Sequence, residues 1–330
     1  MYNVPRIKPL IKGVLSFPFL KFRTSSLAAD VLGTGHAECC YSIFLRYISL
    51  LNNGGVTAVP KTVAELGPGS SLGVGFAALI AGAEKYYALD IIDHTDVDVN
   101  LSVFDELVAL FRRKAPIPAA GLESRRFPDL DCYDFPSFLI SDWDAARERR
   151  IAIILDDIAS KGGVFVETAA PWTQSNLIKP QSVDWIFSVV VLQHVDDVAH
   201  TYRAFAQWLK PGGYASHTIG FDSHNLTKEW NGHWAVSDLA WQALRGRRPY
   251  LLNRLPYGEH LRLAAENGFS TVMEKRHKRF DGLINEQFAP RFRTMSDDDA
   301  RTEMVFLISR LAEKSGDRVA LSMQEGRQRE

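Results

Sequence analysis

A glycine turn between an apolar run and a helical pattern constrains the fold of this chain most. Residues 63–73 read Val-Ala-Glu-Leu-Gly-Pro-Gly-Ser-Ser-Leu-Gly, and apolar residues then recur at helical spacing until Gly82. A second short apolar run ends at Asp90. The pattern predicts a strand, a glycine loop, a helix and a second strand that ends in an acid. This unit is the first half of a nucleotide-binding α/β fold.

The residue types of the loop suit the binding of a cofactor. Gly67 and Gly69 allow a sharp turn and a close approach of the backbone to a ligand. Ser70 and Ser71 are placed to cap the following helix, whose N-terminal N–H groups attract a carboxylate or a phosphate. Asp90 is placed to accept hydrogen bonds from the hydroxyls of a ribose.

The spacing of the glycines separates two kinds of cofactor. A dinucleotide-binding loop has the form G-x-G-x-x-G, but here Leu72 holds the third glycine position and Gly73 follows one residue later. Glu65 stands two residues before the first glycine. The stretch E-L-G-P-G-x-S-x-G, followed by a strand that ends in Asp90, resembles the class I S-adenosylmethionine-dependent methyltransferases.

Two further motifs strengthen the resemblance. Residues 182–195 read Ser-Val-Asp-Trp-Ile-Phe-Ser-Val-Val-Val-Leu-Gln-His-Val, similar to the fourth-strand motif of that family. The stretch Leu-Lys-Pro-Gly-Gly at 209–213, before a predicted fifth strand at 214–219, is another family motif. The resemblance implies a doubly wound, Rossmann-like α/β sheet of seven mainly parallel strands, with an antiparallel last strand. It also implies an enzyme that uses S-adenosyl-L-methionine as its methyl donor.

The resemblance assigns the cofactor contacts. Glu65 and the loop 67–73 would hold the methionine end of the donor, and Asp90 the ribose. A third strand is predicted over 164–166, and the loop after it, residues 167–172, would border the adenine. Many relatives carry an Asp in that loop and this chain has none, so Trp172 either stacks on the adenine or packs beneath the loop. The predicted cofactor set is Glu65, Gly67, Pro68, Gly69, Ser70, Gly73, Asp90, Ile91, Trp172 and Ser188.

Methyl transfer needs a base only when the acceptor must lose a proton, as a sugar hydroxyl must. Histidines at or beyond predicted strand ends are the candidates for this base: His194, His217 and His224. An alternative role for His194 is to shape its turn through a hydrogen bond to the backbone. A metal site is a further alternative if His217 and His224 converge with Asp222. Many methyltransferases need no metal, and we predict none.

The segment 221–257 is rich in tryptophan and arginine. Aromatic faces stack on sugars or bases, and arginine forks suit phosphates or carboxylates, so the segment suggests an acceptor with flat apolar faces and some negative charge. The alternative is a lid helix with solvated arginines. The stretches W-N-G-H-W and R-G-R-R-P-Y-L-L-N-R-L-P are similar to uncharacterised bacterial methyltransferases of surface-glycan pathways. We therefore predict transfer to an oxygen of a small-molecule or glycan acceptor. The predicted acceptor contacts are Tyr41, Asp222, His233 and Arg254, of which Tyr41 is alternatively a core residue of a helix predicted over 36–51.

The predicted organisation has two parts. Residues 1–60 form an arm and a helix that packs on the core, and residues 61–330 form the methyltransferase domain. That domain carries insertions at about 95–162 and 221–257, which form a substrate cap. Residues 1–25 are basic and apolar, and they either make weak peripheral contact with a membrane or pack across the domain. Pro5, Pro9, Gly13 and Pro18 are expected to interrupt any helix there.

Composition restricts the partners and the compartment. The net charge of −1 over 330 residues provides no basic surface for nucleic acid, so we predict no nucleic-acid partner. The three cysteines do not form a disulfide framework, and this favours a reducing cytoplasm. No apolar run approaches the ~20 residues that a membrane-spanning helix needs. The oligomeric state is left open.

Two other functions remain open at this point. An NAD-dependent oxidoreductase uses a related fold, but the displaced glycine and the lack of a Tyr-x-x-x-Lys pair oppose it. A methyltransferase-like protein that binds the donor without turnover has the same motifs, since fold alone does not establish activity.

Overall fold

The computed structural model of the chain describes residues 6–15, 33–93, 96–118, 127–140, 142–248 and 250–313. Its helices and strands alternate over most of this length. The helices are α1 (Ile7–Leu15), α2 (Ala37–Asn53), α3 (Gly73–Ala81), α4 (Val97–Arg112), α5 (Ala145–Ser160), α6 (Val198–Trp208), α7 (Asp238–Arg245), α8 (Tyr257–Glu266) and α9 (Asp297–Arg301). The strands are β1 (Thr62–Leu66), β2 (Lys85–Leu89), β3 (Val166–Ala169), β4 (Val183–Val189), β5 (Leu209–Gly220), β6 (Phe269–Lys278) and β7 (Thr302–Leu311).

Within the described residues the strands form one seven-stranded sheet in the order β3-β2-β1-β4-β5-β7-β6. Strands β1 to β5 pair in parallel with their neighbours in the sheet, whereas β7 runs antiparallel to β5 and β6. The strand order changes direction between β1 and β4, and open α/β sheets bind ligands beyond the carboxyl ends of strands at such a point. The predicted doubly wound, Rossmann-like sheet with an antiparallel last strand is therefore confirmed.

Each face of the sheet is covered by an apolar layer. Strand residues alternate between the two faces, so Val63 of β1 lies in one core cluster and Ala64 in the other. Helices α2, α3 and α4 cover the first face, and α6 and α8 cover the second. Helix α3 is apolar around its whole circumference and is buried throughout, because α2 and α4 pack on the side that faces away from the sheet.

The N-terminal segment contains a helix, α1, where Pro9 and Gly13 were expected to prevent one. Pro9 is the third residue of α1, and in the first turn a missing N–H removes no intrahelical hydrogen bond. Gly13 packs against α7 so closely that a Cβ there would overlap the carbonyl oxygen of Leu244. The prediction of an interrupted helix was wrong for this segment.

The predicted membrane contact concerns residues 1–25, of which 1–5 and 16–25 lie outside the described residues. It therefore stays a prediction. Across the described ranges no helix combines the length and the apolar character that crossing a bilayer requires.

The third strand begins two residues later than the pattern predicts, at Val166 rather than Val164. The buried carboxylate of Asp157, on α5, accepts hydrogen bonds from the backbone N–H groups of Val164 (2.8 Å) and Phe165 (2.8 Å). The same carboxylate also accepts from the Val166 N–H (3.3 Å), and the pairing of β3 with β2 covers Val166–Ala169. The prediction of a strand over 164–166 needs this correction.

The predicted insertions contain helices of their own. Residues 95–162 include α4 and α5, and the connection between them is fixed to α2 by Arg46. The Arg46 guanidinium is fully buried and donates to the carbonyl oxygens of Pro118 (2.8 Å) and Pro128 (2.9 Å). Residues 221–257 include α7, against which α1 packs. The division at residue 60 stays a prediction.

Candidate active site

The glycine loop connects β1 to α3 at the carboxyl edge of the sheet. Gly67 has φ +72° and Gly69 has φ +82°, a backbone region that only glycine enters without strain. A Cβ on Gly67 would lie 2.5 Å from a methyl group of Val191, which follows β4. The loop and the segment after β4 are therefore in contact, and the structure requires glycine at position 67.

The N–H groups at the start of α3 are already hydrogen-bonded. The hydroxyl oxygen of Thr34 accepts from the Ser70 N–H (3.0 Å), and the side-chain oxygen of Asn100 accepts from the Leu72 N–H (2.9 Å). Leu72 is the N-cap residue and its side chain makes no cap bond. Of the two serines predicted to cap α3, Ser71 accepts from the Gly73 N–H (3.2 Å), whereas the Ser70 hydroxyl bonds Thr34. Sequence reasoning missed Thr34 and Asn100, because their contacts span 36 and 28 residues.

A narrow cleft lies between the glycine loop and the ends of β2 and β3. Pro68, Gly69 and Asp90 line it, and one carboxylate oxygen of Asp90 accepts from the Ile91 N–H (2.6 Å). The cleft has a volume of about 20 Å³, room for one water molecule. A cavity of about 240 Å³ adjoins it and shares Leu72 and Thr168 with it. Cleft and cavity together approach the lower end of the volumes that small-molecule sites have.

Glu65 lies behind the glycine loop rather than in the cleft. It is buried at the end of β1, and the Tyr86 hydroxyl donates to its carboxylate (2.6 Å). Burial, and after it the charge of Asp90, raises the pKa of Glu65 to about 8, although the bond from Tyr86 opposes this shift. Glu65 is therefore largely protonated at neutral pH.

His194, His224 and Asp222 meet beyond the carboxyl ends of β4 and β5. The imidazole rings of His194 and His224 are 5.0 Å apart and edge-to-face. Nδ1 of His224 lies 3.3 Å from the Asp222 carboxylate and 3.1 Å from the Asp222 carbonyl oxygen. The structure thus brings together two of the three predicted catalytic histidines and one predicted acceptor residue.

The tautomer of His194 follows from its partner. Nδ1 lies 2.9 Å from the carbonyl oxygen of Tyr250, which only accepts hydrogen bonds, so Nδ1 carries the proton. Burial, and after it the neighbouring His224, lowers the pKa of His194 to about 4. His194 is therefore neutral at physiological pH, and its Nε2 is a proton acceptor.

Tyr250 connects this cluster to the cleft, and sequence reasoning missed it. Its backbone fixes His194, while burial and then the charges of Asp90 and Asp196 raise the pKa of its phenol. Tyr250 has φ +60°, which is uncommon for a residue with a large side chain. Gln193 stabilises the turn after β4, because its side-chain amide donates to the Val190 carbonyl and accepts from the Gly220 N–H. No local sequence pattern signals these contacts.

Ser188 and His217 lie in the core instead of on the rim. They are opposite each other on β4 and β5, and the Ser188 hydroxyl is 2.8 Å from Nδ1 of His217. His217 is 1% exposed, and its ring stacks on Phe205 of α6. This placement gives His217 no contact with the cleft or with His194.

Trp172 and Gly73 have packing contacts that account for their residue types. The Trp172 ring stacks on His200 and meets Trp208 edge-on, both on α6, so Trp172 packs beneath its loop. A Cβ on Gly73 would lie 2.5 Å from the Cys40 sulfur, so glycine there permits α2 to approach α3.

The remaining predicted acceptor residues lie within packed regions. Tyr41 is fully buried, and its hydroxyl donates to the carbonyl of Ala115 (2.6 Å). His233 is buried against Trp234. Arg254 is buried, donates to the carbonyl oxygens of His233 and Val236, and pairs with Asp238. These residues stabilise the core and the cap in this structure.

Among the described residues, no three His, Cys, Asp or Glu side chains converge as metal ligands. The set His217, Asp222 and His224, which was the metal alternative, is separated because His217 lies in the core.

A family model matches a segment that includes His194 of this site. The model describes a methyltransferase domain and matches residues 164–216, from just before β3 into β5. The matched segment is part of a methyltransferase domain. The match confirms the predicted methyltransferase family, the predicted enzyme class and S-adenosyl-L-methionine as the methyl donor, and it favours this reading over an NAD-dependent oxidoreductase. No curated protein matches the sequence.

Solved structures resemble this methyltransferase at low sequence identity. An S-adenosylmethionine-dependent methyltransferase from Mesorhizobium loti is 13% identical over 80% of this chain and 97% of its own, with a TM-score of 0.39. The YcgJ protein of Bacillus subtilis is 13% identical over 81% and 98%, with a TM-score of 0.40. Phosphoethanolamine N-methyltransferase 2 of Haemonchus contortus is 13% identical over 84% of this chain and 57% of its own, with a TM-score of 0.42. The fold assignment of the methyltransferase rests on its sheet order.

Proposed function

We propose that this methyltransferase transfers a methyl group to an oxygen atom of a small-molecule or glycan acceptor, with His194 as the general base. One observation carries the proposal. A neutral histidine, whose Nδ1 proton is fixed by a carbonyl, lies against His224 in the turn after β4, and Val191 of the same turn contacts the glycine loop. A hydroxyl acceptor must lose its proton during the transfer, whereas a thioether or a neutral tertiary amine has no proton to lose.

We propose that the cleft and the adjoining cavity together take the methyl donor. The positive φ angles of Gly67 and Gly69 turn the loop at the cleft wall, and Asp90 is held at the rim by the backbone of Ile91 and Ile92. We propose that the loop holds the methionine end and Asp90 the ribose. When bound, S-adenosyl-L-methionine supplies a methyl group already activated by the sulfonium charge. The protein then has to align the acceptor hydroxyl and remove its proton.

His194 removes that proton at Nε2. Tyr250 keeps the Nδ1 proton in place, so the ring presents one lone pair in a fixed direction. As Nε2 takes the proton, the imidazolium forms beside Asp222 and His224. The charge of Asp222 raises the pKa of His194, although burial outweighs it, so this carboxylate favours the charged form. His224 is bonded at Nδ1 by oxygen acceptors, and its Nε2 is the second candidate base.

We expect the His194→Gln variant to transfer methyl groups about 100-fold more slowly, at the low end of what general bases contribute. The assay measures transfer of labelled methyl from S-adenosylmethionine to acceptors in a small-molecule and glycan extract. S-adenosylhomocysteine affinity should stay unchanged. His36→Gln is the matched control, because the His36 side chain is exposed and makes no cap bond to α2. Full activity of both the His194→Gln and the His224→Gln variants would contradict a histidine base.

The pH profile provides a second test of the same base. Because the pKa of His194 is lowered to about 4, the base stays unprotonated down to mildly acidic pH. The transfer rate should therefore change less than twofold between pH 8 and pH 5.5. A histidine with the ordinary pKa of about 6.5 would lose roughly tenfold over that range, so such a fall would argue against His194.

A further inference from the structure

A polar pocket lies beside the His224–Asp222 pair. It has a volume of about 370 Å³, and nine of its ten lining residues are polar or charged. One wall comes from residues 222–230, which follow β5. The opposite wall comes from Arg279 and Asp281, which follow β6, and from Glu303 on β7. Neither the family match nor the cofactor cleft accounts for this pocket.

The pocket is continuous with the catalytic cluster through Asp222. This residue lines the pocket and holds His224, and the ring of His224 contacts His194. His194 ends the turn after β4, and Val191 of that turn contacts the glycine loop. The polar pocket is therefore connected to the candidate base, so it is placed to hold the part of the acceptor beyond the methylated hydroxyl.

The charge of the lining is negative. Four carboxylates line the pocket, against two basic side chains: Asp222, Glu229, Asp281 and Glu303, with Lys228 and Arg279. Arg279 is already engaged, because its guanidinium donates to Glu303 (2.8 Å) and to Asp281 (2.8 Å). An anionic group in this pocket would be repelled by the carboxylates, and the charge of Arg279 is already neutralised by Glu303 and Asp281.

One wall of the pocket is aromatic. Trp230 lines it and is largely buried, and the Arg279 guanidinium lies 5.5 Å from its ring centroid. Carboxylates accept hydrogen bonds from hydroxyl or amino groups, Asn225 and Lys228 add donors, and an aromatic surface takes the C–H face of a sugar ring. A purely apolar ligand would leave these polar groups unpaired, which is costly.

The arginines of the cap do not restore a site for an anion. Arg245 pairs with Asp196, and Arg254 pairs with Asp238. Arg248 donates to the carbonyl oxygens of Pro9 and Leu244 and thereby ties α1 to α7. The sequence suggested an acceptor with some negative charge on the basis of these residues, but the structure uses these three to hold the cap together.

We propose that the polar pocket binds a polyhydroxylated group without negative charge, a neutral or amino sugar, as the remote part of the acceptor. This inference rests on the proposed function, since it places the acceptor of that reaction. The carboxylates bind its hydroxyl and amino groups, and Trp230 covers one face of its ring. A neighbouring hydroxyl of the same acceptor then reaches His194.

The test uses the full chain saturated with S-adenosylhomocysteine and three monosaccharide probes of equal size: D-glucosamine, D-glucose and D-glucuronate. Saturation-transfer NMR measures their binding. Glucosamine and glucose should give signals at least threefold above that of glucuronate. Asp281→Lys should lower the glucosamine signal at least threefold, whereas Asp297→Lys, an exposed acid on α9, should leave it unchanged. Asn225→Gly should also lower the sugar signals, and glycine fits the φ of +61° found there.

Equal or stronger binding of glucuronate would overturn the inference, as would sugar signals that neither pocket variant changes. Absence of any sugar signal while S-adenosylhomocysteine remains bound would also overturn it, and would leave the proposed methyl transfer intact. Absence of S-adenosylhomocysteine binding by the folded protein would instead overturn the proposed function, and this inference with it.

Discussion

Replacing Gly75 with alanine is expected to lower the free energy of unfolding by about 3 kcal/mol. The same change in an ordinary helix interior raises it by up to ~1 kcal/mol, because glycine is a poor helix former. Gly75 is different because a Cβ there would overlap the ring of Tyr86, which fills the space between β2 and α3. Overpacking of a core costs roughly 1–3 kcal/mol. A displaced Tyr86 would also weaken its buried hydrogen bond to Glu65, at a further cost of about 1 kcal/mol or more.

Urea denaturation of the parent and the Gly75→Ala variant measures this loss. Tyr86→Val serves as the matched background, because it removes the ring atoms that the new methyl group would meet and keeps a residue that favours strands. In that background Gly75→Ala should cost less than about 1 kcal/mol or become stabilising. An equal cost in both backgrounds would show that the Tyr86 ring is not the cause.

The second large effect is a loss of stability in acid, caused by buried histidines. His217 and His260 are buried, and burial lowers their pKa values to about 3 and about 4. In the unfolded chain both titrate near 6.5, so below that pH the unfolded state binds more protons and stability falls as pH falls. From pH 6.5 to 4.5 each histidine lowers the free energy of unfolding by up to ~2.7 kcal/mol, because each of the two pH units contributes up to ~1.36 kcal/mol.

Glu65 acts in the opposite direction over part of this range. Its pKa is raised to about 8, so between pH 8 and its ordinary value near 4.5 the folded state binds more protons and gains stability as pH falls. This gain offsets about one histidine down to pH 4.5. His194 and His233, whose pKa values burial also lowers, add losses of the same sign, so the parent protein should lose stability overall as pH falls from 6.5 to 4.5.

Comparison of variants isolates the histidine contribution. His260→Gln removes one titrating group, and its partner Tyr202 lies 3.4 Å from the ring nitrogen that the amide replaces. Urea denaturation at each pH measures the free energy of unfolding. Its fall between pH 6.5 and 4.5 should be smaller in this variant than in the parent, by up to ~2.7 kcal/mol. His224→Gln, a change at an exposed histidine, is the control. Parallel pH profiles for the parent and the His260→Gln variant would contradict the assignment.

Much of the fold could be predicted from the sequence, because the spacing of apolar residues and the turn-forming glycines indicate the same helix and strand boundaries. The glycine loop, the buried helix α3 and the strand before Asp90 are local patterns, and local hydrogen bonds determine them. Strand β3 was misplaced because the carboxylate of Asp157 satisfies the backbone of Val164 and Phe165, and that contact spans seven or eight residues. A pattern of apolar residues does not contain such a contact.

The candidate site was predictable in outline and not in detail. His194 and His224 lie beyond strand ends and His217 lies within β5, and the sequence does not show which way a side chain points when both faces of a parallel sheet are apolar. His217 turned toward α6 and the core, whereas His194 and His224 meet at the sheet edge. Thr34 and Tyr250 were missed because each acts on a residue more than thirty positions away.

The measurement that tests the account most directly is calorimetric titration of the protein with S-adenosylhomocysteine, alongside the Asp90→Ala variant. Asp98→Ala, an exposed acid on α4, is the matched control. The account predicts micromolar binding by the parent and by the control, weakened at least tenfold, by ~1.4 kcal/mol, when Asp90 is replaced. No binding by a folded parent protein, or unchanged binding by Asp90→Ala, would contradict the cofactor site on which the proposed function depends.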